Sequence, residues 1–385
     1  LTNDESTTIL ADANLYARLD SAATARAFGR VPAVSDPSKG LTMDLRVDAL
    51  PRSASLSTIL SFDIIAHSAA DGWKRPVYFA STVPATYYMG FAPAMYTTGM
   101  AKQVTPFYNS DSPVIDKAYR NIMSRFRWGG LDSGRKLYLD ETVRRMVSST
   151  RLAILEVANE LLDKPTAPAS KWATDFAANN GQPATRTQAD MARNLLALMD
   201  AKMPATAAPY ESMLDLQMAE TYGRLWQATG AASDLAKARQ YVKACQTRYS
   251  QLVRYAASLS AGKRAALGAA DRQALQYLTI AVGFENYLDL RQAMIRAKAP
   301  QQEIQALDST FAIDNAEVYE LLYLMNATDE QLEHYAADDY YSRMLLEHGL
   351  LRQLHSRYAV NPMQRTDSVA KAMSLTRDTW RRAIH

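Results

Sequence analysis

Apolar residues recur along the second half of this chain at helical spacing. Val143, Val147, Thr150, Ile154, Val157 and Leu161 follow one another at intervals of 4, 3, 4, 3 and 4, which places them on one helix face. Asp140 stands where an N-cap belongs, and Glu141 suits the positive start of the helix. Pro165 and Pro168 break the run, and a short helix bearing Trp172 and Phe176 stops at Asn180-Gly181. Thr187 and Asp190 have capping-box spacing and open a helix carrying Met191, Leu195 and Leu198. Further helices are predicted over 210–229, 233–259, 264–297, 300–325 and 337–358.

The first part of the chain reads differently. Residues 1–30 carry a weak helical stripe at Leu10, Leu15 and Leu19, and Pro32 to Gly40 reads as a loop. Leu41, Met43, Leu45 and Val47 alternate as in a half-buried strand. Leu56, Ile59, Leu60, Ile64 and Ile65 predict a helix that Asp71-Gly72 ends. Pro76 can open a strand but not sit inside a central one, so Val77 to Ala80 reads as a short buried strand. A right-handed crossover would make this strand and the one at 41–47 parallel. The fold class expected is α+β, mainly α. A small α/β unit spans 1–135, and an all-α helical domain spans 136–385.

Within that helical domain, Met218, Ala219, Tyr222, Gly230, Ala236, Ala238, Tyr241 and Ala244 resemble a tetratricopeptide (TPR) hairpin. Gly230 lies one turn too far from Tyr222, and no clean period of ~34 residues recurs. The expectation is a degenerate, TPR-like α-solenoid.

At 385 residues the chain has room for two or more cores. With 48% hydrophobic and 22% charged residues it belongs with globular proteins. A net charge of +3 gives no nucleic-acid footprint. The single cysteine, Cys245, rules out an intrachain disulfide framework and reads as a buried, inert thiol. No apolar run approaches the roughly 20 residues that span a bilayer. The start at Leu1 and the lack of a signal peptide fit a fragment or a processed chain. Tyrosine is abundant, 21 against 9 phenylalanines, which suits half-buried helix faces.

Catalytic chemistry finds little support. His67, His334, His348, His355 and His385 do not show the convergent spacing of a metal site. No G-x-S-x-G, P-loop or G-x-G-x-x-G pattern occurs. Ser260 and Lys263 have serine–lysine spacing without its companion motifs. Asp140, Glu141 and Arg145 look like acid/base groups, but helix capping accounts for them. No catalytic, cofactor-binding or metal-ligating residue is assigned, and no cofactor is expected. The interface candidates are the cations Lys74, Arg75, Arg125 and Arg127 with the aromatics Trp73, Tyr78, Tyr87 and Trp128. Cations beside rings can hold a phosphate-bearing lipid carrier, an anionic lipid surface or a sugar. In a structural reading, Arg75 instead pairs with a carboxylate, and Trp73 and Trp128 pack inside. Asp338-Asp339 beside Tyr340-Tyr341 reads as a helix start. The triplets beginning at Asp20, Asp308 and Asp367 resemble O-glycosylation acceptors.

Trp73-Lys74-Arg75-Pro76-Val77-Tyr78-Phe79-Ala80 matches a Trp-Lys-Arg-Pro-Ile/Val-Tyr-Phe-Ala block. Tyr87 to Phe91, Gly99 with Gln103 to Pro106, Asn121 to Met123, Phe126 to Gly130, and Tyr138 to Arg145 follow in the same order. Met203-Pro204 and Pro209-Tyr210 extend the match. On these residues the chain resembles the soluble C-terminal region of bacterial GT-C-type, protein O-mannosyltransferase-like polytopic membrane proteins. The resemblance implies a non-catalytic extracytoplasmic domain for acceptor recognition or scaffolding, on the periplasmic side of the bacterial inner membrane. The implied partners are the protein's own transmembrane region, a protein or glycan acceptor, or a lipid-linked sugar, and no nucleic acid. The alternative is a free-standing helical-repeat adaptor for protein partners.

Overall fold

A computed structural model of the protein describes residues 16–34, 37–38, 40–44, 56–88, 90–135, 137–211, 213–258, 263 and 270–310. The chain divides into two compact units, Leu1–Tyr210 and Glu211–His385.

The first described element of this unit is a strand, and a helix follows it within the stretch of residues 1–30 that reads as helical. Ala17 and Leu19 are buried while Arg18 between them is exposed, the period of two of a strand. Strand β1 (Tyr16–Arg18) pairs antiparallel with β2 (Thr42–Asp44), Ala17 opposite Met43. Helix α1 (Ser21–Phe28) follows, with the Asp20 carboxylate accepting from the Ala23 N–H at 2.5 Å. The acceptor-like Asp20 triplet is therefore a helix cap. Leu10 and Leu15 of the predicted stripe, and Leu45 and Val47 of the predicted strand, lie outside the described residues.

Helix α2 (Leu56–Ala70) leads to β3 (Tyr78–Ala80), then β4 (Met95–Thr97) and β5 (Ala101–Val104). These three strands form a sheet of order β3-β5-β4, antiparallel throughout. The expected parallel crossover is absent, since β2 and β3 belong to different sheets. The tight β4–β5 hairpin presents a local partner for β3, and closing that pairing costs less chain entropy than a crossover. The strand at Val77 to Ala80 is also not buried. It lies at the sheet edge, with Tyr78 and Ala80 exposed, which is where a strand preceded by proline belongs.

Four more helices are described in this unit: α3 (Ile115–Ser124), α4 (Glu141–Leu161), α5 (Lys171–Asn179) and α6 (Gln188–Lys202). The predicted caps are in place, with Asp140 accepting from the Val143 N–H at 2.8 Å and a full capping box at Thr187 and Asp190. Helix α3 packs on α4, α5 and α6, and α4 packs on β4. The structural division thus falls at Tyr210, not near residue 135. Secondary structure changes type at Asp140, but the core does not. Ile154, Val157 and Leu161 of α4 are fully buried, and α4 lies against α6, which buries Leu195, Leu196 and Met199.

The second unit contains α7 (Leu214–Thr229), α8 (Ala232–Ser258), α9 (Ala270–Arg296) and α10 (Gln301–Thr310). Helix α8 packs against both α7 and α9. Gly230, at φ 68°, ends α7 and turns the chain into α8. Tyr222 and Tyr241 stack across that pair at 5.8 Å. Gly223 lets α9 approach closely: a Cβ there would stand 2.7 Å from the Phe284 ring. Arg291 grips Asp308 through Nε and Nη2 at 2.8 and 3.1 Å, joining α9 to α10. The Asp308 triplet is thus tied into this ion pair. The predicted helix over 337–358, the Asp338 to Tyr341 segment, the Asp367 triplet, Ser260 and four of the histidines fall outside the described residues.

Candidate functional site

The Trp-Lys-Arg-Pro block is a tightly laced turn. At the end of α2, Gly72 adopts φ 68°, and a Cβ there would meet Ala23 of α1 at 2.4 Å. Trp73 follows at φ 61°, a left-handed conformation that is uncommon for a bulky residue and stores about 1–3 kcal/mol. The surroundings hold it there. The Trp73 N–H donates to the Ser68 carbonyl at 2.8 Å, and the Ser68 hydroxyl donates to the Arg75 carbonyl at 2.6 Å. The indole is buried and meets Phe28 edge-on at 5.6 Å, and Phe28 meets Phe107 the same way. The Arg30 guanidinium lies over the far side of this stack, 4.6 Å from the Phe107 centroid.

The cations beside Trp73 face the solvent. Lys74 pairs with Asp71 at 2.7 Å, and both are largely exposed. Arg75 is exposed, and no carboxylate among the described residues pairs with it. Tyr78 borders Lys117, whose ammonium lies 5.0 Å from its ring centroid and donates to Gln103 Oε1 at 3.0 Å. Tyr87 projects from a short 3-10 turn, Ala85–Tyr87, and is 65% exposed.

Arg125, Arg127 and Trp128 stand elsewhere. Asn121 Nδ2 donates to the Thr98 carbonyl at 2.9 Å, which fixes the end of α3 to the tip of the β4–β5 hairpin. Arg125 caps that helix end and reaches Asn121 Oδ1 at 3.2 Å. Phe126 covers Gly99, where a Cβ would clash at 2.9 Å, and Trp128 packs on Phe126 at 5.6 Å. The hairpin tip is one end of β5. The other end, Val104, bonds to Val77, next to the Trp73 turn. Four residues of strand at ~3.3 Å each separate the two by roughly 13 Å. The Trp73 turn and Tyr78 thus stand toward one end of β5, and Arg125, Arg127 and Trp128 stand toward the other.

Three polar clusters, two buried and one half-buried, escaped the sequence reading. Arg151 is fully buried and donates to the carbonyls of Met203, Ala208 and Pro209 at 2.7, 2.6 and 3.3 Å, with its guanidinium over the Tyr210 ring. Burial pushes the Glu160 carboxyl up to about 7, against hydrogen bonds from Ser112 that lower it, with Glu156 and Asp163 adding to the rise. In the second unit, Asp215 is buried and receives Arg248 Nη2 at 2.8 Å; burial lifts its carboxyl to about 6 although Arg248 opposes the shift. Cys245 beside it is buried, and burial raises its thiol well above the ordinary range. An isolated arginine in an apolar stripe was the one available signal for Arg151. Among the described residues no three His, Cys, Asp or Glu side chains converge as metal ligands, and no helix is long and apolar enough to cross a membrane.

Residues 2–123 match the family model of TMEM260-associated domain 2. The matched segment contains the Trp73 turn and β3, β4 and β5, and ends inside α3. No curated protein and no solved structure matches the chain.

Proposed function

We propose that this chain is a non-catalytic, extracytoplasmic part of a membrane glycosyltransferase-like protein, working in acceptor recognition or scaffolding beside the transmembrane region. The observation that carries the reading is the match of residues 2–123 to TMEM260-associated domain 2, which contains the Trp73 to Ala80 block on which the glycosyltransferase resemblance rests. The locked turn at Trp73 supports a scaffolding part, because its indole holds α1 and α2 together instead of lining a site. The proposed placement is the periplasmic face of a bacterial inner membrane. The proposed partners are a protein or glycan acceptor or a lipid-linked sugar. The stacked α7–α9 pairs support a degenerate TPR-like surface for the acceptor.

Incubating the chain with a lipid-linked sugar donor and acceptor proteins tests the reading. The expected result is acceptor binding without sugar transfer. Transfer by the chain alone, abolished by one point substitution, would overturn it.

A further inference from the structure

Residues 125–145 carry six Lys and Arg against three carboxylates. Those carboxylates are already engaged: Asp132 pairs with Lys202 at 2.6 Å, Glu141 pairs with Arg145, and Asp140 caps α4. Arg125 and Arg127 are exposed, and among the described residues no carboxylate pairs with either.

The same segment exposes large apolar groups. Val143 and Met146 are 38% and 57% exposed on the first turns of α4. Thr150, one turn on, donates to Met100 Sδ at 3.5 Å, which brings the exposed hairpin tip beside them. Tyr138, just before the helix, is 93% exposed. Trp128 stands half-buried beside the same tip through Phe126 and Gly99.

We propose that this surface docks on an anionic lipid bilayer. Methionine, valine and interfacial tryptophan and tyrosine gain by leaving water shallowly, and the arginines gain from the negative surface potential. The surface consists of a hairpin tip, a loop and a helix start, elements that insert at a boundary rather than enclose a small ligand. An acidic protein offers the same charge complement but does not by itself call for interfacial aromatics beside flexible methionines. The inference stands on this surface and not on the glycosyltransferase reading.

The test is co-sedimentation of the 385-residue chain with phosphatidylcholine vesicles, with and without phosphatidylglycerol. Binding is expected only to the anionic vesicles, falling as salt rises. Arg125→Gln with Arg127→Gln should weaken it roughly 25-fold, about fivefold for each charge. Met146→Ser should weaken it about fivefold. Lys171→Gln, at an exposed position of α5, should bind as the unmodified chain does, and all variants should melt alike. No binding to anionic vesicles, equal binding to neutral ones, or indifference to the arginine pair would overturn the proposal. So would loss, in the arginine variant, of binding to an acidic protein with no vesicle binding in the parent chain.

Discussion

The rings of Trp73 and Phe28 meet in a T shape, centroids 5.6 Å apart and planes at 76°, while the backbone of Trp73 sits at φ 61°. The contact joins the end of α2 to α1 and keeps a strained residue in place. Two positions on, Arg75 is exposed. The motif is thus half core and half surface. Trp73→Ala should destabilise the first unit by about 3 kcal/mol, since it empties a buried aromatic site and loses the edge contact. Arg75→Ala should shift stability by less than about 0.5 kcal/mol. Urea denaturation of both variants checks this pair of expectations. Equal losses would show that Arg75 has a structural partner after all.

Glu160 gives the first unit a pH dependence near neutrality. Its carboxyl is raised to about 7 in the folded protein, foremost by burial, from a value of 4.5 when free. Between those two pH values the native state holds a proton that the unfolded chain has released. Stability therefore falls as pH rises through this window, and the cost is complete above about 7. Partial solvent screening reduces that cost to about 1 kcal/mol. Glu160→Gln should remove it. Thermal melts at pH 5 and pH 8 are the measurement, and the variant should gain on the parent only at the higher pH. A gain of the same size at both would mean that the carboxyl does not titrate there.

The capping box that opens α6 makes the opposite pH prediction. Burial disfavours the Asp190 carboxylate, but the N–H groups of Arg186 and Thr187 and the Thr187 hydroxyl outweigh it and hold its pKa below the ordinary range. Its contribution is present above the free carboxylate value of about 3.9 and is lost as pH falls through the lower folded value. Thr187→Ala should cost about 1 kcal/mol at neutral pH. Asp190→Asn should lose stability at neutral pH and converge on the parent in strong acid. Acid titration followed by circular dichroism checks both, and parallel curves would refute the account.

These cases show what the sequence made legible. Caps at Asp140 and Thr187 and the helix end at Gly72 were readable because each depends on residues within one turn. The apolar stripe of α4 was readable from its period. The partner of each short strand was not, since three-residue strands carry too little alternation to say whether β3 meets β2 or β5. The separation of Trp73 from Trp128 was hidden for the same reason, because both flank β5 and only its register sets them apart. The boundary was misplaced because helices α3 to α6 share a core with the β strands, and core sharing leaves no mark in local periodicity.

Arg151 supplies the sharpest test of how the first unit holds its last segment. The elements Met203-Pro204 and Pro209-Tyr210 stood apart in sequence from the rest of the family resemblance. In the structure they surround this one side chain. Its guanidinium takes the carbonyls of Met203, Ala208 and Pro209, and the Tyr210 ring covers it at 4.1 Å. Carbonyls at the end of α6 lack intrahelical donors, and a buried fork of N–H groups satisfies several at once. Arg151→Met preserves bulk but leaves those acceptors without their donor, so it should cost about 3–5 kcal/mol. Arg151→Lys keeps the charge but offers a point donor in place of the fork, so it should recover only part of the loss. Urea midpoints for the parent and both variants give the order: parent most stable, lysine next, methionine least. Chymotryptic cleavage after Tyr210 should become faster in the methionine variant as the segment loosens. A methionine variant as stable as the parent would show that the loop carbonyls find other donors and that Arg151 does not secure the segment.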